Sequence, residues 1–93
     1  MRFEWDASKA SASFAKHGVS FREAVEVFYD PNALEDYDAK HSTNENRFFI
    51  IGLSSRRLLF VIYAEIAEGT VRIISARKAT MAERKVYERR AMQ

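Results

Sequence analysis

Two apolar runs dominate the middle of the chain: RFFIIGL at 47–53 and RLLFVIYAEI at 57–66, separated by SSR. Both are rich in β-branched and aromatic residues and too short between breaks for packed helices, so both read as strands. A third run, VRIISARK at 71–78, follows across AEGT, whose Gly69 suits a tight turn. Three strands joined by connections this short must lie side by side and antiparallel. Whatever else the chain does, it has to be built around this meander.

The turns predict a register. A two-residue Glu68–Gly69 loop puts Glu65 opposite Arg72, Tyr63 opposite Ile74 and Phe60 opposite Arg77. Leu58, Phe60, Ile62, Ala64 and Ile66 then share a face with Val71, Ile73, Ser75 and Arg77. That face is nearly all apolar and is expected to be the one covered by helices. Arg77 projects from it, and the neighbouring Lys78 from the other. Closure through Ser55–Arg56 places Arg47 on the face of Arg77, opposite Ala64 and level with Ile73, about 13 Å from Arg77 along the strands.

Helices are expected on either side. Asp6 can cap a helix over 7–16 with an apolar stripe of Ala7, Ala10 and Phe14, stopped by Gly18 in the left-handed conformation. SFRE reads as a capping box in which Glu23 reaches back to Ser20, opening a helix that presents Phe21, Ala24, Val25 and Phe28. Pro31 ends it. A weak strand is expected near 33–37. Thr80 and Glu83 form a second capping box before a last helix over 81–91, whose narrow stripe is Ala79, Ala82 and Val86. The fold class is α+β, a small antiparallel sheet packed against helices, as one domain spanning 1–93.

No apolar run approaches a membrane span, no signal-peptide core is visible, and there is no cysteine. The expected location is the cytoplasm, with no membrane partner. Net charge is +2 but uneven. Residues 1–46 carry five Lys/Arg against nine Asp/Glu, and residues 47–93 carry ten against four. The basic half suits a nucleic acid or an acidic protein; alternatively, the halves neutralise each other in space.

No phosphate-binding glycine loop, nucleophile elbow or metal-ligand spacing is present, and the two histidines lie 24 residues apart. Neither cofactor nor metal is expected. What remains is an inventory of Arg, Lys, His, Tyr and Glu. Such a set can cleave RNA, because the 2′-hydroxyl is an internal nucleophile that needs only a base, an acid and cations against the developing charge. Each residue also has a plainer reading. Lys16 and His17 suit the last turn of a helix, Glu65 and Arg72 a cross-strand pair, and Arg84, Lys85, Arg89 and Arg90 a solvated helix face. Glu83 is a cap first. Tyr63, on the more polar face, could be core, stacking platform or acid.

Along the chain in order stand FEWD (3–6), KHGVSF (16–21), EA..VF.D (23–30), E.R (45–47), RIISARKA (72–79) and ER..YE (83–88). Together they resemble the BrnT-type ribonuclease toxins of bacterial type II toxin–antitoxin systems. The resemblance implies a RelE-like fold, metal-independent RNA cleavage and a BrnA-type antitoxin with a ribbon-helix-helix domain, the complex being a heterotetramer on a dimeric antitoxin. It points to positions matching His17, Lys16, Arg47 and Arg77. The expected roles are His17, Arg77 and Arg47 in the chemistry and Lys16 on the substrate, to which the residues themselves add Lys78 and Arg84. The alternatives are a non-catalytic nucleic-acid-binding module and a domain that acts only as corepressor. Ser13 departs from the pattern, where Asn is frequent, as do SSRRLL, which lacks the usual hairpin Gly, and Ile66, where a polar residue is frequent.

Overall fold

The computed structural model describes residues 1–92, and of His41 the backbone alone. Five strands form one sheet: β1 (Arg2–Glu4), β2 (Leu34–Tyr37), β3 (Arg47–Leu53), β4 (Leu58–Ala67) and β5 (Thr70–Lys78), in the order β1-β5-β4-β3-β2. The helices are α1 (Ala7–His17), α2 (Phe21–Glu26), extended by a 3₁₀ turn over Val27–Tyr29, and α3 (Met81–Ala91). Strands β2 to β5 pair antiparallel, but β1 pairs parallel with β5, Phe3 opposite Val71. The sheet is therefore mixed rather than purely antiparallel. Three residues at the N-terminus carry too little periodicity to announce a strand.

The hairpin registers hold where they matter most and slip in between. Phe60 lies opposite Arg77 and Arg47 opposite Ala64, as the turns predict. Between these points Tyr63 pairs with Ile73, Ala64 with Arg72 and Glu65 with Val71, so the expected Tyr63–Ile74 and Glu65–Arg72 pairs do not form. Two bulges are the cause. Ile66 is an extra residue in β4 and Ile74 an extra residue in β5, and the second cancels the first.

This changes the faces. Val71 and Ile73 turn to the side of Leu59, Val61 and Tyr63, where Val19, Phe21, Ala24 and Val27 complete the main core. α1 and α2 thus cover the face opposite the one expected. The Leu58–Phe60 face is covered only at one end, by α3, around Ile51, Leu58 and Tyr87. Among the helix stripes, Ala10 packs on the core but Phe14 is 55% exposed. In α3 the buried anchor is Tyr87, while Val86 is 45% exposed.

The caps form largely as expected. Asp6 accepts hydrogen bonds from the N–H groups of Ser8 and Lys9, and Gly18 ends α1 at φ 71°. Thr80 and Glu83 form a complete box. Ser20 accepts from the Glu23 N–H at 3.1 Å, but the Glu23 carboxylate does not reach back. It is drawn instead to the guanidinium of Arg57, a stronger donor than a backbone N–H.

Candidate functional site

Arg77, next to last in β5, lies on the face covered by α3. Its guanidinium stacks on the Phe60 ring at 4.1 Å and pairs end-on with Glu83, Nη1 to Oε1 at 2.8 Å and Nη2 to Oε2 at 2.9 Å. A third bond runs from Nη1 to the carbonyl of Lys78 at 3.2 Å. Glu83 also accepts the Thr80 N–H, so one carboxylate caps α3 and fastens it to the sheet. Burial opposes the Glu83 charge, yet Arg77 and the Thr80 N–H hold its carboxyl below the ordinary range, while Glu83 raises Arg77. These bonds consume the tip of the fork. The Nε–H and the second Nη2–H, on the side edge of the guanidinium, have no acceptor among the described residues. That edge is the geometry that receives two oxygens of one phosphate.

Lys78, opposite Leu59, belongs to the other side of β5 and is exposed. α1 runs along that side in the same direction as β5. Lys9 shares a cavity with Ile73 and Ile74, and the Ser13 hydroxyl bridges the N–H and carbonyl of Ala76 at 3.4 and 3.5 Å. One further turn along α1 reaches its last turn, with Lys16 and His17. β1 reaches only as far as Arg72, so among the described residues no strand lies on that side of β5 from Ile73 onward, and at Ala76 Ser13 takes the place of one. The end of β5 therefore carries Arg77 on one side and Lys78 on the other, and α1 continues past Ser13 into the last turn that holds Lys16 and His17.

The corner at His17 is pinned by residues whose roles were not legible in sequence. Arg57, at the base of the β3–β4 hairpin, donates to Glu23 from Nε at 3.0 Å and Nη2 at 2.8 Å, and from Nη2 to the Gly18 carbonyl at 3.0 Å. Ser54 Oγ adds a third bond to Glu23 at 2.8 Å. The Arg57 hydrogen bonds hold the Glu23 carboxyl below the usual carboxylate range against its burial. Arg57 and Glu23 are 34 positions apart, and no local pattern links them.

Arg84, on the exposed side of α3, lies 3.8 Å from Glu88. Arg47 begins β3 and shares the face of Arg77 four residues away, so the two do not meet on one phosphate. Its neighbours are Glu45 at 3.5 Å and, across Ala64, Arg72. Tyr63 is core: its ring stacks on Phe48 and its hydroxyl donates to Glu35 at 2.9 Å. Burial and Glu35 push its phenol far up, so it stays protonated at neutral pH with its proton committed to Glu35. Asp30 gathers the N–H of Leu53 at 2.8 Å and the hydroxyl of Tyr87 at 2.6 Å, tying α3 to β3. Among the described residues, no group of three or more His, Asp or Glu side chains is placed to hold a metal ion.

The model of the family described as "Ribonuclease toxin, BrnT, of type II toxin-antitoxin system" matches residues 5–83. Among solved structures, the chain is similar to the Brucella abortus ribonuclease toxin BrnT. Identity is 25% and the TM-score 0.66, over 87% of this chain and 99% of that one. No curated protein matches the chain.

Proposed function

The chain belongs to the BrnT family of ribonuclease toxins of type II toxin–antitoxin systems, and on that premise we propose that it cuts RNA without a metal at the open end of β5. The observation that carries this reading is the free side edge of Arg77, one third exposed at the end of β5, with Lys78 on the opposite side. Among the described residues no strand lies on the outer edge of β5 there, and only Ser13 of α1 bonds the backbone along it. An RNA strand crossing the end of β5 meets Arg77 on one side and α1, with His17 in its last turn, on the other. The 2′-oxygen attacks the adjacent phosphorus and the P–O5′ bond breaks, leaving a 2′,3′-cyclic phosphate and a 5′-hydroxyl. Arg77 binds two equatorial oxygens as negative charge builds on the phosphorane. His17 serves the proton transfers, as acceptor from the 2′-hydroxyl or donor to the leaving oxygen. Arg47, too far away to share that phosphate, and Lys16 hold the substrate, while Lys78 and Arg84 draw RNA in from a distance.

The family is defined by a protein antitoxin. We take that partner to be a BrnA-type ribbon-helix-helix protein whose dimer carries two toxin chains, in the cytoplasm. The ribonuclease reading is tested by incubating purified protein with end-labelled RNA in excess EDTA. Cutting should persist and leave cyclic or 3′-phosphate ends. Cutting that stops with chelator and returns with Mg²⁺ rules the mechanism out.

A further inference from the structure

We propose that Arg47 and Arg72 form a second phosphate subsite, which the Glu45 carboxylate occupies in the free protein. The proposal rests on the ribonuclease reading and adds a binding site to it. Arg47, Ala64 and Arg72 stand in one cross-strand row on the sheet face beyond the reach of α3. Two strand spacings put their Cα atoms about 10 Å apart, with two guanidiniums rising on either side of a methyl group. Ala64 is only 1% exposed.

Glu45 sits between the two arginines. One oxygen lies 3.5 Å from Arg47 Nε and the other 3.5 Å from Arg72 Nη1, and neither contact is a hydrogen bond. Arg47 Nε is the buried side-chain polar atom left without a hydrogen-bond partner among the described residues. A buried guanidinium N–H normally has a partner, so the fit of Glu45 is incomplete. A phosphodiester carries the same single charge and offers two oxygens at similar spacing, with lone pairs to spare. A cavity of about 320 Å³ opens on the Arg72 side of Glu45, with Lys9 as its second cation and Glu4, Asp6 and Glu45 as its carboxylates, Glu4 lying 3.5 Å from Arg72. Arg47 stands outside this lining and is reached only when Glu45 moves.

The subsite lies about 13 Å from Arg77 on the same face, roughly two nucleotides along an extended strand. It holds a flanking phosphate, not the one being cut. Arg72, read from sequence only as a cross-strand partner of Glu65, is thereby a substrate-binding residue, and Glu45 an internal competitor of RNA.

A 2′-O-methyl oligoribonucleotide, which cannot be cut because its nucleophile is blocked, isolates binding from cleavage. Its affinity is measured by fluorescence anisotropy over a range of salt. Arg72→Ala should weaken binding about tenfold and lower the salt slope by about 0.7. Glu45→Ala should tighten binding severalfold, and that gain should shrink in the Arg72→Ala background. A gain of equal size in both backgrounds reports only the removal of a negative charge and overturns the proposal, as does an unaltered affinity in Arg72→Ala. Arg72 is 41% exposed, so its loss leaves the fold intact, and far-ultraviolet circular dichroism verifies this. If the wild-type protein neither holds this oligonucleotide nor cuts RNA, the ribonuclease reading fails and takes the subsite with it. Cutting that proceeds while binding ignores all three variants removes the subsite alone.

Discussion

Arg57→Ala should be the most damaging single change away from the proposed chemistry. Glu23 is 8% exposed and Arg57 23%. The variant strips from Glu23 two of its three side-chain hydrogen bonds and leaves the Gly18 carbonyl without its guanidinium donor. Breaking one partner of a buried ion pair costs about 3–5 kcal/mol, because the survivor stays charged and desolvated. Arg57 sits at the rim, where water can replace part of it, so the lower end applies, about 3 kcal/mol. For a domain of this size that lowers the melting temperature by about 12–24 °C. The pH dependence follows from Glu23, whose carboxyl is held low in the folded state by Arg57. Its stabilising contribution is full above its unfolded pKa and is lost as pH falls through the folded value. The gap between wild type and variant, measured by urea unfolding, should be widest at neutral pH and close in acid. Arg56→Ala, at an exposed position, should move stability by less than about 0.5 kcal/mol. Because Arg57 also holds the turn after His17, residual Arg57→Ala protein should cut RNA poorly at temperatures where it is folded. Equal urea midpoints for wild type and Arg57→Ala at pH 7 would refute the reasoning.

Arg77→Ala should abolish cutting and lower the melting temperature modestly, since it also releases Glu83. Arg77→Lys keeps one contact to Glu83 but has no side edge for a phosphate, so it should melt near wild type and still be severely impaired. Lys78→Ala should remain largely active, and full activity of folded Arg77→Ala would return Arg77 to a purely structural role. Tyr87→Phe should cost about 1.5–3 kcal/mol in urea unfolding without changing the chemistry. In wild type the Tyr87 phenol, pushed up to about 12 by burial and Asp30, should resist titration when phenolate absorbance is followed. The antitoxin complex, if it uses the basic surface of α3, should weaken as salt rises in a calorimetric titration, and a salt-insensitive affinity would place the contact on apolar surface.

Local chemistry was legible in sequence wherever the partner lay within a few residues. Asp6, Gly18 and the Thr80–Glu83 box terminate helices through contacts two to four positions away. The hairpin turns set Phe60 against Arg77 and Arg47 against Ala64 by counting alone. What could not be counted was the pair of bulges, because they alter no turn and cancel over the hairpin. They hid which face α1 and α2 cover, and with it the burial of Tyr63 and the true neighbours of Arg72. Contacts made at long range were equally silent. Glu23 looked like half of a capping box until Arg57 was folded against it, and Asp30 and Tyr87 are 57 positions apart. The layout of the candidate residues was not legible: Arg77 and Lys78 fall on two sides of β5, with Arg47 at the other end of the sheet face.

Ile66 and Ile74 have a consequence for how the chain can change length. A strand that loses one residue ordinarily turns everything beyond the gap to the opposite face. At these two positions it does not. Each is surplus to the pairing on either side of it, so its deletion merely straightens the hairpin and leaves Val71, Ile73 and Arg77 facing as they do now. The chain therefore has two places in its central hairpin where a codon can be lost without inverting the sheet. The two losses are independent, and either one trades local coiling of the strands for regular pairing.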